Sequence, residues 1–162
     1  MKKVITIDGP SASGKGTLAI LLADRLSWKI LDSGALYRAF AYFSISENDE
    51  KLIKENLSKI SFNIIDNSIQ VLFENKDISR HLRTEETAIQ ASKISSLPST
   101  REILLPIQRF FSETNNLIAD GRDMGSVVFP NANLKFFLDA APEVRAKRRH
   151  LELQKRGQEV NI

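Results

Sequence analysis

A chain of 162 residues is long enough for one domain with a real core, and 27% charged residues with a net charge of +3 describe an ordinary globular surface rather than one built to grip a nucleic-acid polymer. The absence of cysteine excludes disulfides, thiolate zinc sites and cysteine nucleophiles together. No apolar run approaches the ~20 residues of a membrane span, and only Met1, Lys2 and Lys3 precede the first apolar run, too little for a signal peptide, so the expectation is a monomeric cytoplasmic enzyme with no membrane partner.

Val4, Ile5 and Ile7 suit a buried parallel strand, which runs straight into Gly9-Pro10-Ser11-Ala12-Ser13-Gly14-Lys15-Gly16-Thr17. Gly9 and Gly14 bracket four residues and Lys15 follows at once, the spacing of a phosphate-binding loop. Successive backbone N–H groups must curl around phosphate oxygens, which glycine permits where a Cβ would obstruct. Lys15 adds a mobile charge for the β/γ-phosphates, and the helix opening there adds its positive end. Gly16 stands where Ser or Thr is usual, and Thr17 comes one residue later. The predicted ligand is a nucleoside triphosphate.

Leu18, Leu21, Leu22 and Leu26 fall at helical spacing and are expected to pack this helix on the sheet. Residues 28–31 form a second strand ending at Asp32-Ser33-Gly34, and residues 35–43 a helix carrying Tyr37 and Arg38. A polar turn at residues 46–49 precedes a helix with Leu52, Ile53 and Leu57 on one side. Residues 61–65 and 69–73 are β-rich runs joined by Asp66-Asn67-Ser68, a hairpin set apart from the parallel core. Thr84 can cap a helix running towards Pro98, and Ser99 with Glu102 has capping-box spacing for the next. Residues 117–120 and 134–138 are the third and fourth core strands; Pro142 opens a basic helix that Gly157 stops. Strands alternating with helices predict an α/β fold, an open parallel sheet with helices on its faces and ligands at the carboxyl ends of the strands.

Asp8, Asp32-Ser33-Gly34 and Asp120-Gly121-Arg122-Asp123 then meet on one edge and form one site. Asp120 resembles the acid that places Mg²⁺ in phosphate-loop enzymes, often through water, with Thr17 as the hydroxyl on the metal; it fits a helix cap or loop brace equally well. Arg122 can fork onto phosphate oxygens and Asp123 can accept from an amino group, although adjacent opposite charges also fit a surface ion pair. Arg38, Arg101 and Arg122 are the cluster a second phosphorylated ligand needs; singly, each fits a solvated helix position. The basic run at residues 145–156 fits an exposed helix face or the first half of a closing lid. His81 and His150 show no triad or metal spacing and read as surface residues.

Residues 5–17, 31–38, 117–130 and 135–140 together resemble the bacterial cytidylate kinases, a family of nucleoside monophosphate kinases. The strings Asp32-Ser33-Gly34-Ala35-Leu36-Tyr37-Arg38 and Asp120-Gly121-Arg122-Asp123-Met124-Gly125 are the more selective part. The resemblance implies a phosphate-loop NTPase fold and ATP-dependent phosphorylation of CMP and dCMP with Mg²⁺. It implies that Gly9, Pro10, Ser11, Ala12, Ser13, Gly14, Lys15, Gly16 and Thr17 hold the ATP phosphates. Ser33, Arg38, Ser92, Arg101, Arg122 and Asp123 would line the monophosphate site, with Lys15, Arg122 and Asp123 carrying catalysis. The implied parts are a core over about residues 1–32 and 99–142, a monophosphate-binding excursion over about 33–98 containing the small antiparallel unit, and a partial lid over about 143–162. Family members continue through more lid and a last strand, so residues 134–138 are expected at an open sheet edge in a less stable and less active chain. Two other readings remain open: a kinase of another small acceptor, such as shikimate or a different nucleoside monophosphate, and a non-catalytic ATP-binding module. The choice of cytosine over uracil rests on the resemblance alone.

Overall fold

The computed structural model describes residues 2–157; residues 158–162, the end of the expected lid, lie outside the described residues. The elements in chain order are β1 (Val4–Asp8), α1 (Lys15–Leu26), β2 (Lys29–Asp32), α2 (Ser33–Ser46) and α3 (Glu50–Ser58). Then come β3 (Ile60–Ile65), β4 (Ser68–Phe73), β5 (Lys76–Asp77), a 3₁₀ turn (His81–Arg83), α4 (Glu85–Ser95) and α5 (Pro98–Phe110). β6 (Leu117–Gly121), a π-helical turn (Met124–Val128), β7 (Leu134–Phe137) and α6 (Pro142–Lys155) follow, the last elements among the described residues.

Four of these strands make one parallel sheet in the order β2-β6-β1-β7. The central pair carries buried Ile5, Ile7, Leu117, Ile118 and Ala119, with Thr6 also fully buried, so both strands are covered on both faces rather than alternating. Register places Asp8 opposite Gly121 and Asp32 opposite Asp120, which brings the polar strand ends to a common edge. β7 pairs with β1 and is exposed along its length, with Phe137 72% exposed.

Two helix details differ from the sequence expectation. On α1 the sheet-facing residues are Ala19 and Ala23, with Leu18 and Leu22 beside them, while Leu21 is 58% exposed and Leu26 is also exposed. Small side chains let the helix lie close to the sheet, so the inward stripe is turned away from two of the four leucines. The helix α5 starts two residues earlier than the capping-box spacing suggested. Pro98 takes the first helical position after Leu97, and Ser99 sits inside the first turn with no cap bond. The other predicted cap holds: Thr84 Oγ1 accepts from Thr87 N at 3.2 Å.

The second sheet is antiparallel, in the order β3-β4-β5. Asp66 and Asn67 form its tight turn at φ +50° and +56°, and Glu74 and Asn75 repeat the conformation at +49° and +65°. This mirror-image turn matches the right-handed twist of the strands it joins. Phe62 and Val71 are buried, and Phe73 meets Phe43 of α2 edge-on at 5.0 Å, so the small sheet is packed on the helices rather than free-standing. The helix α6 opens at Pro142, is followed by Gly157 at φ +73°, and buries none of its residues. Among the described residues no helix is long and apolar enough to cross a membrane.

Candidate active site

The phosphate loop begins where β1 ends. A Cβ on Gly9 would come within 2.0 Å of the Leu138 carbonyl oxygen, so the close approach of β7's end demands glycine there. Gly14 sits at φ +95° immediately before α1. It offers no side-chain cap, and the first turn of α1 carries no acid. The first N–H groups of α1 therefore have no protein partner competing with an anion. Ser13 Oγ is buried within the loop and makes no hydrogen bond.

Three aspartates lie at the carboxyl ends of β1, β2 and β6, and their partners separate their roles. Asp32 caps α2 through Ala35 N at 3.0 Å. Asp8 accepts from Met124 N and Gly125 N, both at 2.8 Å. Asp120 is buried yet its Oδ1 has no hydrogen-bond partner; Lys15 Nζ lies 3.8 Å from it. Burial, reinforced by the carboxylates of Asp32 and Asp8 and opposed by Lys15, pushes its pKa up to about 7. The cap and brace readings open for Asp120 in the sequence thus describe its two neighbours instead. An enclosed oxygen without a partner beside a phosphate loop suits a bound cation or its water. Among the described residues no group of three acidic or histidine side chains could hold a metal alone, so phosphate oxygens and water would complete the coordination.

A cleft of about 610 Å³ opens over this edge. Lys15 and Asp120 wall it from the core, Ser33, Tyr37 and Arg38 from α2, and Ser92 from α4; Arg101 enters from α5, and Arg122 and Asp123 from the end of β6. All six residues expected to bind an acceptor therefore converge, although they come from four separate stretches of chain. Arg101 Nη1 lies 3.5 Å from Asp123 Oδ2, a loose pair at the rim. Ser33 is buried and its Oγ accepts from Gln108 Nε2 at 3.0 Å. Burial raises the Tyr37 phenol's pKa, with Arg101 opposing and Asp123 adding, so Tyr37 stays protonated.

A second cleft, of about 560 Å³, lies on the other flank of the loop between α1 and α6. Thr17 is exposed and opens on this side, whereas position 16 faces the acid: a Cβ on Gly16 would be 3.5 Å from Asp120 Oδ2. The two metal candidates, Thr17 and Asp120, accordingly line different clefts. Arg148 reaches the loop from α6, its Nη1 donating to Ala12 O at 3.4 Å, and Lys155 lines the same cleft. Of the other basic residues, Arg145 Nε donates back to Ala140 O and Arg149 pairs with Glu152. Arg156, exposed just past the end of α6, titrates lower than an ordinary guanidinium through partial desolvation and then through Arg83, Arg149 and Arg38. The end of α6 thus adds its charge to that of α2 and the 3₁₀ turn. His81 is exposed, but His150 is half buried with Nδ1 enclosed and unpartnered.

Gln108 and Arg109 were not legible as site residues, and Asp8, which the sequence placed on the site's edge, was given no role there. Arg109 donates from Nε to Val128 O at 2.9 Å and from Nη2 to Val127 O at 3.1 Å, pinning the end of the turn that follows Arg122-Asp123. Their partners are backbone groups or a hydroxyl far away in the chain, and spacing within one helix or strand carries no trace of that.

The family model described as cytidylate kinase matches residues 5–162. Among curated proteins, the cytidylate kinase of Aeromonas salmonicida (strain A449) is 49% identical over 170 aligned residues, covering 100% of this chain and 73% of its own length. That of Photobacterium profundum is 49% identical, covering 98% of this chain and 72% of its own. That of Pseudomonas putida (strain W619) is 50% identical, with 98% and 73% covered.

Proposed function

Because the chain belongs to the cytidylate kinase family, we infer that it transfers the γ-phosphoryl group of ATP to CMP, giving ADP and CDP. The observation that carries this reading is the convergence of Arg38, Arg101 and Arg122 in one cleft with Lys15 of the phosphate loop. A nucleotide-binding switch needs one phosphate site, whereas a kinase of a phosphorylated acceptor needs two that meet. dCMP is a second acceptor on this reading.

Gly9 to Thr17 cradle the donor phosphates with backbone N–H groups, and Lys15 carries charge to the β/γ-phosphates. The cleft beside Leu21 and Leu151, with Arg148 and Lys155, takes the donor's nucleoside end. Arg38, Arg101 and Arg122 hold the acceptor phosphate, screening its repulsion from the triphosphate. Ser33, Ser92 and Asp123 offer hydrogen bonds to its sugar and base. Asp120 would be the residue that holds Mg²⁺, and the ion, when bound, would neutralise phosphate charge; Thr17, exposed on the donor side of the loop, is the second candidate. Transfer is direct and in line, so no protein nucleophile is required. Catalysis is positioning together with neutralisation by Lys15 and the arginines, Arg122 and Asp123 being the acceptor-side pair. Residues of about 33–98 serve as the acceptor-binding excursion on the core, and α6 as a lid. Both clefts are built by one chain, which suits a monomer, and ATP and CMP as substrates suit a cytoplasmic enzyme.

ADP formation from ATP and Mg²⁺ with a panel of acceptors tests this. CMP and dCMP should support turnover at least about tenfold better than UMP, AMP, GMP or shikimate, the discrimination one unmatched buried polar contact supplies. ATP binding without ADP formation with any acceptor would instead identify a non-catalytic ATP-binding module, and a better rate with shikimate a different kinase.

A further inference from the structure

We propose that Asp8 is a positioning residue for phosphoryl transfer, one that ties the acceptor-binding Arg122-Asp123 pair to the strand that launches the phosphate loop. The proposal rests on the function given above and adds a residue to it. Asp8 is buried, and its two carboxylate oxygens are used separately: Oδ1 accepts from Met124 N and Oδ2 from Gly125 N, each at 2.8 Å. These are the two peptide groups that directly follow Arg122 and Asp123. A charged acceptor with two aligned N–H donors is a strong and directional arrangement, and it fixes both the position and the tilt of the turn.

The rest of the joint is equally tight. Asp8 O accepts from Leu138 N at 2.8 Å, and Gly9 N donates to Gly121 O at 3.3 Å, so the end of β1 is held from both sides. At the far end of the turn Arg109 binds the carbonyls of Val127 and Val128. Gly125 is where the turn meets β1. A Cβ there would lie 2.8 Å from Thr6 Oγ1, 3.2 Å from Lys135 Cδ and 3.3 Å from Asp8 Oδ2. Position 125 therefore has no room for a side chain while the carboxylate holds the turn.

The consequence is a rigid link between two halves of the chemistry. Lys15 follows Asp8 by one loop, and Arg122-Asp123 precede the two N–H groups that Asp8 holds. Releasing the turn moves the acceptor's guanidinium and carboxylate relative to Lys15 while leaving Gly9 to Thr17 in place. The reacting atoms are then misaligned, which costs rate as well as acceptor affinity. In Asp8→Asn the amide NH₂ would face an N–H donor, so one of the two bonds is replaced by a repulsive contact.

The test measures kcat and KM for CMP, and the Kd of ATP, in wild type, Asp8→Asn and Gly125→Ala. The second variant displaces the turn without altering β1 and serves if the first does not fold. Expected is a rise in KM for CMP of about tenfold together with a fall in kcat of about ten- to hundredfold. The Kd of ATP should stay within about twofold of wild type and the thermal melt should remain cooperative. Unchanged KM and kcat in a folded variant would overturn the proposal. So would equal losses in ATP and CMP binding, which would make Asp8 a brace of the phosphate loop alone. Failure of the wild type to phosphorylate CMP would refute the underlying function instead, a separate result.

Discussion

Three aspartates within one sheet edge illustrate how partners, not residue type, assign a role. Asp8 and Asp32 accept backbone N–H groups, so their charge is committed to holding a turn and a helix end. Asp120 has no such donor, and burial lifts its pKa from 3.8 to about 7. A raised carboxyl pKa means that the ligand-free fold favours the protonated acid. The associated stability is complete below the unfolded value near 3.8 and is lost as the pH rises through about 7. Asp120→Asn should therefore melt at a higher temperature than wild type at about pH 8, with the gap closing by about pH 4, while its Mg²⁺-dependent turnover falls. Parallel melting profiles across that range would contradict the assignment. Lys15→Ala should keep the melt but lose at least about a hundredfold in kcat, because a charge aimed at the transferring phosphoryl group acts mainly in the transition state. Arg122→Ala removes a charge-assisted contact of about 1.5–3 kcal/mol. Calorimetric titration should then show CMP affinity falling by about ten- to a hundredfold with ATP affinity nearly unchanged. Equal CMP affinity in wild type and variant would remove Arg122 from the acceptor site.

At the scale of elements, the strands, the hairpin and most helices were legible because each is announced locally: an apolar run, a two-residue turn, a capping threonine. The phosphate loop was legible for the same reason, with Gly9, Gly14 and Lys15 in one short stretch. What sequence could not supply was orientation. The leucines of α1 outnumber its alanines as core candidates, yet the helix turns Ala19 and Ala23 to the sheet and leaves Leu21 outside. Ser99 had a capping pattern, but Pro98 took the first helical position. The same limit explains Asp8 and Arg109, whose roles depend on backbone groups that only the folded chain brings near. A stability series on α1 checks the reading. Leu21→Ser should change the unfolding free energy by less than about 0.5 kcal/mol, as an exposed site does. Ala23→Leu should cost about 1–3 kcal/mol by overpacking the helix against the sheet. The reverse order in denaturant unfolding would show that the helix presents its leucines inward.

For the whole molecule, parallel strand ends gather residues distant in sequence, and helices α2 and α5 add Arg38 and Arg101 to the wall of the cleft. The result is two clefts that flank one phosphate loop, each with its own basic residues: Arg38, Arg101 and Arg122 in one, Arg148 and Lys155 in the other. Two bound nucleotides can then meet at Lys15 without a covalent intermediate, which is the central claim. Initial rates measured while ATP and CMP are both varied test it most directly. Direct transfer predicts that ADP and CDP form in equal amounts and that double-reciprocal lines intersect, as a ternary complex requires. Parallel lines, or ADP release that does not depend on CMP, would contradict it.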